Sequence, residues 1–79
     1  MRVLLFARAK DLVGTDRIEV SLPEPATVGD LRQHLVQRHP NLAGLLEKSA
    51  FAVNDEFADD AARIPAGAEV ALLPPVSGG

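Results

Sequence analysis

The chain has 79 residues, of which 47% are hydrophobic and 24% charged, with a formal net charge of −3. A chain of this length forms one domain and buries only about 60% of its unfolded surface, enough for a small core without cross-links. It holds no cysteine, tryptophan or tyrosine and no basic cluster. This excludes disulfides, thiolate metal sites and a cysteine nucleophile, and leaves nucleic acid poorly served as a partner.

No stretch approaches the ~20 apolar residues that span a bilayer, so no membrane partner is expected. The start, Met1-Arg2-Val3-Leu4-Leu5-Phe6, lacks the length and cleavage site of a signal peptide, and the expected location is cytoplasmic.

Residues 2–7 read as a strand, with Val3 to Phe6 consecutively apolar. In residues 8–15, Ala9, Leu12 and Val13 suit a single helical turn closed by Gly14 as C-cap. Residues 17–22 alternate, with Ile18, Val20 and Leu22 on one face, and form a hairpin with the first strand. Pro23 to Ala26 break the pattern. Thr27 and Asp30 then stand as N-cap and N3 of a capping box. The helix this opens runs to about His39, with Val28, Leu31, Leu35 and His39 on its apolar stripe. Arg32, Gln33, Gln37 and Arg38 are expected to face water. Pro40 stops it, and residues 41–48 give a second short helical piece that returns Leu42, Leu45 and Leu46 to the core.

Residues 50–54 form a third strand, Asn54-Asp55-Glu56 a turn, and Phe57 begins a short fourth strand. Residues 59–64 are expected as a loop or 3₁₀ turn, and Pro65-Ala66-Gly67 as another turn. Residues 69–73 are the last strand, apolar enough to be central and to pair parallel with the first. The predicted class is α+β: a β-grasp, ubiquitin-like fold. It has a mixed four- to five-stranded sheet, one main helix across one face, and a protruding C-terminal tail. The domain spans residues 1–73 and the extended Gly-Gly tail residues 74–79.

A search for catalytic side chains finds little. His34 and His39 are five residues apart, off the i, i+4 ligand spacing, and no metal site is expected. Asp55-Glu56 and Asp59-Asp60 suit a solvated acidic face, because turn carboxylates lack the pocket that general acid–base work requires. The tail is more informative. Pro74 and Pro75 hold the chain extended without a donor, and Gly78 and Gly79 make the narrowest possible tip. A device for insertion and an ordinary chain end are both consistent with this. Phe6 and Leu73 fall on the sheet face that the helix leaves open, and Phe57 is a third large apolar residue at such a position. Ordinary core and an apolar docking patch beside the tail are both open for these three.

The segment Val3-Leu4-Leu5-Phe6-Ala7-Arg8-Ala9-Lys10-Asp11-Leu12-Val13-Gly14, the Ala26-Thr27-Val28-Gly29-Asp30-Leu31 helix start and Ala52-Val53-Asn54 resemble the MoaD family, the small subunits of molybdopterin synthase. So, above all, does the ending Glu69-Val70-Ala71-Leu72-Leu73-Pro74-Pro75-Val76-Ser77-Gly78-Gly79. The resemblance runs the whole length. It implies a sulfur carrier that binds no cofactor and is not itself catalytic, the active site lying on the large subunit. Gly79 would be adenylated by a MoeB-type activating enzyme using ATP, then converted to a thiocarboxylate with sulfur from a sulfurtransferase. Residues Pro74, Pro75, Val76, Ser77 and Gly78 would thread the tail into the MoaE-type large subunit of a heterotetramer. There sulfur would pass to cyclic pyranopterin monophosphate to form the molybdopterin dithiolene. The same resemblance places Phe6, Lys10, Phe57 and Leu73 at partner surfaces.

One departure is Gly67-Ala68, where the family commonly has Gly-Asp, which bears on the stability of that turn. Two other readings share the fold and tail. One is a sulfur carrier for thiamine or tRNA thiolation. The other is a ubiquitin-like modifier conjugated through Gly79, although Ser77 stands where such modifiers tend to carry a basic residue.

Overall fold

The computed structural model describes residues 1–74. Among the described residues, five strands form one mixed sheet: β1 (Arg2–Leu5), β2 (Arg17–Glu19), β4 (Ala50–Val53), β5 (Glu56–Ala58) and β7 (Glu69–Leu73), in the order β2-β1-β7-β4-β5. β7 is central. It pairs parallel with β1, Val3 opposite Val70 and Leu5 opposite Leu72, and antiparallel with β4, Phe51 opposite Leu72. The expected β-grasp topology is present.

One face of the sheet carries Val3, Leu5, Phe51, Val70 and Leu72, all at most 1% exposed. Helix α2 (Val28–Arg38) lies against that face through Val28, Leu31 and Leu35, which are also fully buried. The helix starts where the capping box places it. The Asp30 amide donates to Thr27 Oγ1 at 3.2 Å, and the Thr27 amide donates to Asp30 Oδ2 at 3.0 Å. After His39 the chain makes a 3₁₀ turn (Pro40–Leu42) and helix α3 (Ala43–Leu46), adding Leu42 and Leu46 to the core. The expected single helical piece over 41–48 is thus two.

Several local expectations need correction. The first strand ends at Leu5, and the following helix, α1 (Ala7–Val13), has seven residues rather than one turn. Gly14 is its left-handed C-cap, as read. β2 ends at Glu19. Residues 59–64 are not all loop: β6 (Arg63–Ile64) pairs antiparallel with β3 (Ala26–Thr27), Ala26 opposite Ile64. Arg32 does not face water. It donates to Asp60 Oδ1 at 2.8 Å and to the carbonyls of Leu46 and Ser49, and its guanidinium carbon lies 5.0 Å from the centre of the Phe51 ring. Asp60 is correspondingly engaged rather than free. The Pro65–Ala68 turn closes without an aspartate, the Ala68 amide donating to the Pro65 carbonyl at 3.1 Å while Gly67 supplies φ +74°. Ala68 is buried at 4% exposure, so an apolar side chain suits that site.

Candidate functional site

The sheet face opposite α2 carries the candidate site. Side chains alternate along a strand, so fixing Leu5 in the core sends Leu4 and Phe6 to the other side. The same rule, applied to buried Val70 and Leu72, sends Ala71 and Leu73 there. The ladders align these positions into one row: Leu4 opposite Ala71, Ala71 opposite Ala52, Ala52 opposite Phe57.

Size along that row shapes the surface. Ala71 and Ala52 occupy the middle two strands and leave a hollow of about 310 Å³. Leu4, Phe6, Phe57 and Leu73 wall it, and Asp55 and Glu69 add two carboxylates to its lining. Phe6 is 45% exposed and Phe57 77%, the two large hydrophobic side chains left in solvent among the described residues. Exposing two phenylalanines is costly for a domain with so small a core, and a shared apolar hollow is what a docking surface requires. The ordinary-core reading is thereby excluded for Phe6 and Phe57; Leu73 is half-buried.

Backbone geometry holds both aromatic residues. Phe57 follows a two-residue turn in which Asn54 and Asp55 both have positive φ, +48° and +69°, the geometry of a tight hairpin. Asn54 ties this turn to the start of β7: its side-chain oxygen accepts from the Glu69 amide at 3.1 Å, and its amide donates to the Glu69 carbonyl at 2.8 Å. Phe6 is the N-cap of α1, and its carbonyl accepts from the amides of Ala9 and Lys10 at 3.1 and 3.4 Å.

Of the other candidates, Lys10 is exposed on α1 and does not line the hollow. Pro74 follows the last residue of β7 and is half-buried. Pro75, Val76, Ser77, Gly78 and Gly79 lie outside the described residues. Sequence reasoning misses Ala52 and Glu69 as lining residues and assigns Asp55 to a solvated acidic face. The signal for Ala52 was available, since it sits between Phe51 and Val53 on a strand whose neighbours face the core. Among the described residues no three His, Asp or Glu side chains gather as a metal site, and no helix is long and apolar enough to cross a membrane.

The fold and the sequence have known counterparts. A family model described as the ThiS family matches residues 3–79. The molybdopterin synthase sulfur carrier subunit of Escherichia coli K12 is 42% identical over 81 residues, covering 100% of this chain and 99% of the relative. Among solved structures, small archaeal modifier protein 1 (SAMP1) from Haloferax volcanii superposes with a TM-score of 0.84 at 34% identity, covering 99% of this chain and 97% of the other. A complex of subunits 1 and 2 of the molybdopterin-converting factor from Helicobacter pylori contains a chain matching at TM-score 0.69 and 26% identity, covering 99% and 96%. With a β-grasp sheet, a walled apolar hollow along its central strand and relatedness over its whole length, this chain belongs to the ThiS family, among the molybdopterin synthase sulfur carrier subunits.

Proposed function

We propose that the chain is the sulfur-carrier subunit of a molybdopterin synthase, docking on a MoaE-type large subunit through the hollow bounded by Leu4, Phe6, Phe57 and Leu73. The observation that carries this reading is the placement of that hollow. It runs along the whole of β7, from Glu69 to Leu73, the strand from which the chain continues into residues 74–79, so a partner gripping the hollow also sits at the root of the tail.

The chemistry is carried by the carboxylate of Gly79. A carboxylate resists nucleophilic attack until one oxygen becomes a leaving group. A MoeB-type enzyme supplies that by transferring AMP from ATP to Gly79, releasing pyrophosphate. The terminal sulfur of a sulfurtransferase persulfide then displaces AMP to give an acyl disulfide, and a second thiol cleaves this, leaving Gly79 as a thiocarboxylate and the two thiols as a disulfide. Within the large subunit this sulfur attacks cyclic pyranopterin monophosphate, water releases the acyl group, and two such deliveries complete the dithiolene. The chain binds no cofactor and acts in the cytoplasm. Its lack of cysteine fits a carrier whose sulfur rides on the main-chain terminus.

The test is intact-mass analysis after incubation with the activating enzyme, ATP and a sulfur source. The expected result is a mass gain equal to one oxygen replaced by sulfur, localised to Gly79. An unchanged mass, with the activating enzyme working on its own carrier in parallel, would sink the reading.

The likeness to the Haloferax modifier protein supports a second reading, conjugation to lysines through Gly79. A ladder of higher-mass conjugates in native cells would favour it.

A further inference from the structure

Among the described residues five have positive φ: Gly14, Gly67, Asn54, Asp55 and Ala7. Glycine lacks the Cβ that makes this region costly, and Asn and Asp tolerate it better than other side chains. Ala7, at φ +50°, is the exception. It has neither advantage, so its conformation is imposed by what lies on either side.

Both sides are fixed. Leu5 is 1% exposed, and its amide donates to the Asp16 carbonyl at 2.8 Å. Ala9 is fully buried, and its amide donates to the Phe6 carbonyl at 3.1 Å. Within four residues the chain must leave an extended strand and enter a helix that packs back on the same core. Phe6 is still extended, with φ −125° and ψ 157°. The reversal therefore falls on Ala7, the residue that follows Phe6, whose side chain walls the hollow.

We propose that Ala7 is a positioning residue: its strained left-handed backbone is the rigid joint that holds Phe6 out over the open face for the partner. Glycine would make the same turn with less strain, but it would also reach many other conformations, and Phe6 would swing with it. The Cβ of Ala7 narrows the joint to one well at the expense of some stability. Strain retained beside a functional surface fits this role. The inference rests on the docking role given to Phe6 above.

The test compares the native chain with Ala7→Gly, with Phe6→Ala in each background, and with a chain carrying D-alanine at position 7, made by chemical ligation. D-Alanine favours positive φ while remaining as stiff as alanine. It is expected to raise Tm by about 4–8 °C and to keep native affinity for the large subunit. Ala7→Gly is expected to hold Tm within about 4 °C, because relief of strain is offset by the freer unfolded chain. It should lower the NMR order parameters of Phe6 and weaken large-subunit binding about threefold or more. In the Phe6→Ala background, Ala7→Gly should cause no further loss of affinity. The inference is overturned if D-alanine lowers Tm, if glycine leaves Phe6 as ordered as in the native chain, or if the glycine effect persists without the Phe6 ring. Should the native chain fail to bind the large subunit, the docking reading fails by itself. The D-alanine Tm and the Phe6 order parameters then still decide whether Ala7 is the joint.

Discussion

Arg32 and Asp60 are 28 residues apart in sequence, and their side chains meet at 2.8 Å. The pair joins α2 to the segment between β5 and β6. The same guanidinium reaches the carbonyls of Leu46 and Ser49 and lies over the Phe51 ring, so one side chain ties four parts of the chain together. Ser49 immediately precedes β4, whose first residue, Ala50, pairs with Leu73.

Arg32→Ala therefore removes donors from two backbone carbonyls as well as an ion pair, and is expected to cost about 2 kcal/mol in urea unfolding. Asp60→Asn removes only the charge. The Asp60 side chain is 56% exposed, so its loss should cost less than ~1 kcal/mol and shrink further at high salt. Equal costs for the two variants would show that the carbonyl contacts contribute nothing.

Phe6→Asp and Phe57→Asp place charge on side chains already in solvent. Each should leave Tm nearly unchanged and weaken large-subunit binding about thirtyfold or more, as loss of an aromatic anchor does. Leu73→Asp should show a similar loss of affinity with a modest fall in Tm, because Leu73 is half-buried. Calorimetric titration alongside thermal melts separates the two effects. Collapse of the fold in the phenylalanine variants would mean their rings contribute to the core.

Removal of Gly79, or addition of one residue after it, should abolish thiocarboxylate formation. Both variants should melt like the native chain, since β7 ends at Leu73. Mass spectrometry after the activation reaction reads the result directly. Normal sulfur loading on either variant would rule out chemistry at the Gly79 carboxylate.

Gly14 and Gly67 have φ of +91° and +74°, and a Cβ at either would meet nothing within 4 Å. Alanine at each should cost less than about 1 kcal/mol, because the stiffer unfolded chain partly offsets the backbone strain. Gly29 is the opposite case. Its φ is not in the left-handed region, but a Cβ there would lie 3.2 Å from the Asp60 carbonyl oxygen. Gly29→Ala should displace the Asp60 segment and reduce the gain expected from a better helix former. Denaturant titration of the three variants, with chemical shifts around Asp60 for the third, distinguishes strain from crowding.

The main helix and the central strand were readable because their signals are local and periodic. Thr27 and Asp30 announce the helix start in four residues, and Val70 and Leu72 alternate on a strand too apolar for an edge. The exposure of Phe6 follows from the same alternation once Leu5 is placed inside. What the sequence concealed lies between segments. β3 and β6 have two residues each, too few for a period, and are defined only by pairing with one another. Arg32 is polar on a helix whose apolar stripe is elsewhere, so periodicity sends it to solvent. Its partners are Leu46, Ser49 and Asp60, none of which a helical period can indicate. The hollow required Ala52 and Ala71 to be neighbours, a matter of register across β4 and β7. The left-handed turn at Ala7 left no mark, because alanine, unlike glycine or asparagine, does not signal it.

The position of β7 also has a mechanical consequence. It is bonded to β1 along one side and to β4 along the other. A pull along β7 would thus load two ladders at once, across bonds that are perpendicular to the strand in the β4 ladder and slanted in the β1 ladder. Those bonds would have to yield together rather than peel one after another. An edge strand would unzip under the same tension. Tension along this strand is thereby borne by the whole sheet.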